Sequence, residues 1–282
     1  MKRSRRRRPA DLCARLEAAA ARFGSGYLAS DPVIFPHRYS SRADREIVAF
    51  LAAALAYGNV KQIQASVERV LAGLSQIHPS PAAAIESLTC ARAGTHLSGF
   101  RHRFNDHRDL AVFLTLLRRM LSEFGSVEGF FAAGPPPGAP LRERLSSFVR
   151  RALELEPQLV ERAPGARFFL PDPESGSACK RLCMVLRWLV RPADGVDLGL
   201  WTTLTTRELV MPLDTHTSRI AYANGLSRSP YATWSNAEEV TAALARYDRN
   251  DPVRFDFALS RLGILRVPQN QAPLRLRAAR RP

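Results

Sequence analysis

Long apolar runs are absent from this sequence of 282 residues. A bilayer-spanning helix needs about 18 or more consecutive apolar residues, so no membrane partner is expected. The basic N-terminus is followed by Asp11, Arg15 and Glu17 instead of an apolar stretch. That argues against a secretory signal and makes the cytoplasm the expected compartment. Cysteine is scarce: Cys13, Cys90, Cys179 and Cys183. Only the last two are close, and no histidine stands at zinc-finger spacing from them, so no metal site and no cofactor are expected. Both are read as core thiols. Convincing strands of period two are also missing, as are internal repeats, which leaves an all-α architecture.

Acidic residues are few beside basic ones, 26 against 41, for a formal net charge of +15. Lys2, Arg3, Arg5, Arg6, Arg7 and Arg8 crowd the N-terminus; Arg275, Arg277, Arg280 and Arg281 crowd the C-terminus. Neither group has an acidic neighbour, and the rest of the chain keeps only +5 of the total. Basic arms of this kind suit a polyphosphate partner such as DNA, or serve only to keep the chain soluble. The reading is a basic tail over 1–10, a body over 11–273 long enough for one large domain or two lobes, and a second basic tail over 274–282.

The body reads as helices. Residues 11–29 form a short amphipathic helix, and 31–41 an irregular link with Pro32 and Pro36. Ile47, Phe50, Leu51, Ala54 and Leu55 mark the apolar face of a helix starting near Asp44. It breaks at Tyr57-Gly58-Asn59, and Val60, Ile63, Val67, Val70 and Leu71 continue on a second helix. The corner between them is polar, with Tyr57, Asn59, Lys61 and Gln62 able to meet nucleic acid or simply to turn the chain. Phe100-Arg101-His102-Arg103-Phe104 alternates rings with cations, so that Arg101 and Arg103 can reach phosphates while the rings pack inward. Helices follow over 109–124 and 141–155, separated by Gly134-Pro135-Pro136-Pro137-Gly138. A long connection broken by prolines spans 157–176. The last two helices cover 238–247 and 253–265.

Between them lies the stretch from Gly176 to Gly225. Lys180 opens an apolar run containing Leu182, Met184, Val185, Leu186, Leu189 and Val190, the pattern of a buried helix. Asp214 follows Pro212 and precedes a helix that stops near Asn224-Gly225; Asp is a preferred N-cap and Gly a preferred terminator. A lysine and an aspartate thus stand at the N-termini of two successive helices, where an amine nucleophile and a carboxylate can be held together. Asp214 is equally suited to be a plain cap, and Lys180 a phosphate-binding or solvent-facing lysine.

Several motifs, in order, resemble the helix-hairpin-helix DNA glycosylase superfamily, which includes endonuclease III, the adenine glycosylase and 8-oxoguanine glycosylase. Pro212-Leu213-Asp214-Thr215-His216-Thr217-Ser218-Arg219-Ile220 is similar to the V-D-T-H-x-x-R-V segment that carries the family's essential carboxylate. Gly176-Ser177-Ala178-Cys179-Lys180 resembles the second half of the hairpin, where bifunctional members place a lysine nucleophile. Tyr57-Gly58-Asn59-Val60-Lys61-Gln62-Ile63 looks like the first DNA-facing helix pair of 8-oxoguanine glycosylases, and Phe100 to Phe104 resembles their Y-R-A-R-Y pattern. Phe255 to Gly263 resembles the closing helix of adenine glycosylases. The matches span about 44–265, and the whole chain also resembles a bacterial family with the P-L-D-T-H motif. The sequence departs from the superfamily in three ways. Lys180 and Asp214 stand 34 positions apart, roughly twice the family separation, with residues 192–208 as the insertion. The hairpin keeps only Gly176 of a G-x-G. No cysteine follows Gly263, so no iron–sulfur cluster is implied.

The resemblance implies a two-lobed helical fold with a degenerate helix-hairpin-helix element. One lobe covers about 44–135 and the other about 140–265, with 11–43 packing on the second. It implies a monomer, associated with the nucleoid, that binds duplex DNA and excises a damaged base. Asp214 would stabilise the cationic sugar, and Lys180 would attack C1′ if its amine is uncharged. Gly176, Ser177, His216 and Arg219 would join Tyr57, Asn59, Lys61, Gln62, Arg101 and Arg103 in holding the DNA. The alternative is a nucleic-acid-binding module that keeps the fold without catalysis.

Overall fold

Two helices buried on nearly every side sit at the centre. Helices α1 (Pro9–Arg22) and α2 (Arg42–Ala54) begin the chain in this computed structural model, which describes residues 9–264 and Leu274. From Ile47 to Ala54 every residue of α2 is buried, which is why its apolar pattern is broader than one face. Ser41 caps its N-terminus, accepting from the Asp44 N–H. The stretch between α1 and α2 is not one long helix plus a loop. Gly24 and Gly26 end α1 early, and three 3₁₀ turns follow, two of them opened by Pro32 and Pro36.

Asn59 caps α3 (Val60–Ser75), and Ser80 caps α4 (Pro81–Glu86). After α5 (Cys90–His96), strands β1 (Arg101–His102) and β2 (Asn105–Asp106) form an antiparallel hairpin, the one sheet among the described residues. Asp106 closes a capping box with Asp109 to start α6 (His107–Phe124), and Gly125 ends it in the left-handed region. Helices α4, α5, α7 (Val127–Ala132) and α8 (Leu141–Glu154) all lie against α6 or its neighbours. The connection 157–176 is more ordered than its prolines imply, holding α9 (Pro157–Arg162) and two 3₁₀ turns.

The second central helix is α10 (Lys180–Val190). All its residues from Arg181 onward are buried, and it packs on α2. Residues 191–214 then leave helix altogether except for one 3₁₀ turn, before α11 (Thr215–Ala223), α12 (Trp234–Leu244) and α13 (Asp256–Ile264) complete the chain. α11 and α1 both lie against α13, so the two ends of the body meet. The architecture is all-α. No helix among the described residues is long and apolar enough to cross a membrane. The basic arms over 1–8 and 275–282 lie outside the described residues; Leu274 is fully buried.

Candidate active site

Asp214 stands immediately before α11 in extended backbone, the conformation an N-cap requires. Its Oδ1 accepts the N–H groups of His216 at 2.9 Å and Thr217 at 2.8 Å. This leaves Oδ2 free to turn across to α10, where it accepts from Lys180 Nζ at 2.6 Å. Both side chains keep about three-tenths of their surface in solvent, so the pair is anchored but reachable. Burial alone would push the Asp214 carboxyl up. The Lys180 ammonium and the Thr217 hydrogen bonds outweigh it and hold the carboxyl down at about 2. A carboxylate of this kind stays ionised across the neutral range and offers a fixed negative charge.

The turn that delivers Lys180 is unusual. Gly176, left-handed at φ 81°, ends a 3₁₀ turn, and Ser177 bridges the backbone of Thr233. Cys179 then adopts φ 46°, a left-handed conformation that a side chain makes costly by about 1 kcal/mol or more. Two contacts hold it there: its N–H donates to Ser177 Oγ, and its thiol to the Pro171 carbonyl. Burial pushes the Cys179 thiol up to about 12, so it sits there as a neutral packing group. Cys183 is buried as well.

Lys180 and Asp214 open into a cavity of about 470 Å³, within the size range of small-ligand sites. Tyr57, Gly58 and His216 share its lining, bringing the α2–α3 corner opposite the lysine–aspartate pair. A second, open cavity of about 620 Å³ lies on the other side of Lys180, lined by Ser177, Arg167 and Phe168 among others. Of the residues expected to meet nucleic acid, Asn59, Lys61, Gln62, Arg101, Arg103, His216 and Arg219 are exposed. Asn59 also caps α3 through the Lys61 N–H. Arg101, Arg103 and Arg219 are not among the lining of either cavity. Tyr57 is turned inward: its hydroxyl donates to Asn105 Oδ1 at 2.6 Å, and burial raises it to about 12.

The segment 100–104 needs correcting. Phe100 does pack inward, but Phe104 points out with 58% of its surface exposed. The cause is local: β1–β2 closes through a two-residue turn, so the ring at position 104 falls on the opposite side from Phe100.

Four charged residues behind the cavity carry no expected site role, although Asp256 and Arg261 stand within the Phe255 to Gly263 segment. Asp31 pairs with Arg261, and Asp256 accepts from Arg187 Nη1 at 2.8 Å, all lining the same cavity. Arg187 also reaches the fully buried Asp197 at 3.1 Å. The signal was present for Arg187, a cation at a face position inside an otherwise apolar helix. Asp256 and Arg261 show the same contrast inside the apolar run 255–263, and Asp31 does not. Among the described residues, no group of three or more His, Cys, Asp or Glu is placed to hold a metal ion.

No curated protein and no solved structure matches the chain. A family model does, over residues 31–265, which takes in the corner at Tyr57, the lysine and aspartate pair and the buried charges behind it. The chain therefore belongs to the family described as protein of unknown function (DUF2400).

Proposed function

We propose that this chain is a DNA glycosylase, with Asp214 and Lys180 as its reacting groups. The observation that carries the reading is the 2.6 Å contact between Lys180 Nζ and Asp214 Oδ2 at the mouth of a cavity that can take a nucleoside. In this reading α2 to α7 make one lobe and α8 to α13, with α1, the other. The target nucleotide leaves the duplex and its base enters the cavity between them. As the C1′–N bond breaks, its electron pair leaves with the base, and positive charge grows on the sugar. The ionised Asp214 stabilises that charge. Lys180, after giving up its proton to solvent or to the departing base, forms a bond to C1′; the C1′–O4′ bond then breaks, a proton from that nitrogen passes to O4′, and the ring-opened sugar is left as a Schiff base. Ser177, His216 and the exposed arginines would hold the flanking phosphates.

The resting pair favours a second reading as well. A lysine held against a carboxylate is an ammonium, and in that state it binds phosphate instead of attacking carbon. A nucleic-acid-binding module without chemistry would use the same two residues that way. Base release separates the two: incubate the wild-type protein with duplexes carrying single oxidised, alkylated, deaminated or mismatched bases. The glycosylase reading expects abasic product from at least one, lost in Asp214→Asn. Tight binding with no release from any duplex supports the binding module.

A further inference from the structure

The hairpin tip beside the cavity is built to hold an aromatic ring in water. Arg103, the first residue of the turn, is left-handed at φ 55°, and Phe104 follows it outward. The two residues flanking the tip, His102 and Asn105, are fully buried polar side chains. His102 is fixed between Ser66 Oγ at 2.7 Å and the Tyr57 carbonyl at 2.9 Å. Asn105 donates to Asp109 Oδ2 at 3.0 Å and to the Gly165 carbonyl at 2.9 Å. Bolted on both sides, the turn cannot fold its ring down without breaking these bonds.

Phe104 is not alone. Phe168, 37% exposed, meets it edge-on with ring centroids 4.5 Å apart, and Tyr57 lies 4.7 Å from Phe168. Behind the rings the Arg181 guanidinium sits 4.1 Å from the Phe168 centroid and bonds only main-chain carbonyls, those of Ala54 and Phe168. The exposed charges around the patch are Arg101, Arg103 and Arg167. The nearby acids are engaged: Asp106 accepts from the first turn of α6, and Asp109 from Asn105. An aromatic surface rimmed by guanidiniums is the chemistry of base stacking with phosphate neutralisation. It is continuous with the site, since Tyr57 lines one cavity beside Lys180 and Phe168 the other.

We propose that Phe104 and Phe168 form a stacking platform for unpaired nucleobases, so that the chain prefers nucleic acid with an unstacked segment over continuous duplex. This rests on the nucleic-acid reading of the site but not on any chemistry at Lys180.

The test uses the full chain and two labelled DNA probes, a continuous duplex and the same duplex with a three-nucleotide bulge carrying 2-aminopurine. Wild type binds the bulged probe more tightly, by about 5- to 150-fold for each base stacked, and quenches its 2-aminopurine fluorescence. Phe104→Ala and Phe168→Ala bring that preference down towards unity and lose the quenching, while duplex affinity holds. Phe104→Trp keeps both. Because Phe104 is exposed, its variants fold, and thermal melts verify this. Three results overturn the platform: an unchanged preference in Phe104→Ala, no binding of either probe by wild type, or wild-type self-association that Phe104→Ala abolishes. A chain that binds and quenches through Phe104 but never releases a base keeps the platform and loses the glycosylase.

Discussion

Lys180 and Asp214 meet at 2.6 Å although they stand 34 positions apart in the chain. The contact survives that separation because the residues in between are fastened elsewhere. Leu198 donates its N–H to the Trp188 carbonyl at 2.7 Å, and Leu200 and Trp201 donate theirs to Leu189, so the segment folds back along the end of α10. Trp201 then inserts against Phe50 and Phe131, with its indole N–H on Glu46 Oε1 at 2.6 Å. Thr203 bonds Glu128 through both its N–H and its hydroxyl. Residues 191–214 are a strap over α2 and α7, and the chain returns from it to Asp214 in register with Lys180.

Asp214→Asn separates cap from charge. Asn caps as well as Asp, so what is lost is the charge pairing, and stability falls by about 1–3 kcal/mol. Base release falls by at least about 100-fold, because a neutral amide does not stabilise a cationic sugar. Urea denaturation and release assays on the same preparation measure both.

Acid should erase what the pair contributes. The Asp214 carboxyl is held at about 2 in the folded chain against about 3.9 in an unfolded one. The unfolded state therefore takes up the proton first. The stabilisation is complete above about pH 4 and is lost as pH falls towards 2. The stability difference between wild type and Asp214→Asn should shrink over that window and stay constant from pH 5 to 8. A difference that instead shrinks between pH 6 and 8 would assign the effect to another group.

Arg187→Met should be among the most damaging single changes. Arg187 is buried between Asp197 and Asp256; its loss leaves the buried Asp256 without its ion-pair partner, while Asp197 keeps Arg191, at a cost of about 3–5 kcal/mol. Arg38→Met, which breaks an exposed pair with Glu68, should cost under about 1 kcal/mol. Equal midpoints in urea for the two variants would contradict the buried network.

Deleting residues 1–8 and 275–282 removes ten basic side chains and no acidic one. Duplex affinity should fall and its salt dependence flatten, because fewer counterions are released on binding. Unchanged affinity and slope would remove the arms from the interface.

Helices α2, α3, α6, α8 and α10 were legible from apolar periodicity; side chains of Ser41, Asn59 and Asp106 cap the first three, while α8 and α10 start without such a cap. The placement of Asp214 was legible as a cap with a spare oxygen. Three things were not. The strap carries no periodicity, since its order comes from bonds to Trp188, Leu189, Glu46 and Glu128 that are remote in sequence. Charges such as Asp31 and Arg261 become neighbours only when α13 packs near the start of the chain. Phe104 looked like a core ring because rings alternate with cations over 100–104, and only the two-residue turn puts it outside.

Borohydride reduction on lesion-bearing and abasic duplexes captures the amine and the substrate together. Wild type should give a covalent protein–DNA adduct that peptide mapping places at Lys180, and Lys180→Gln should give none. A folded wild type that binds these duplexes yet gives no adduct, or an adduct that persists in Lys180→Gln, would contradict Lys180 as the reacting amine.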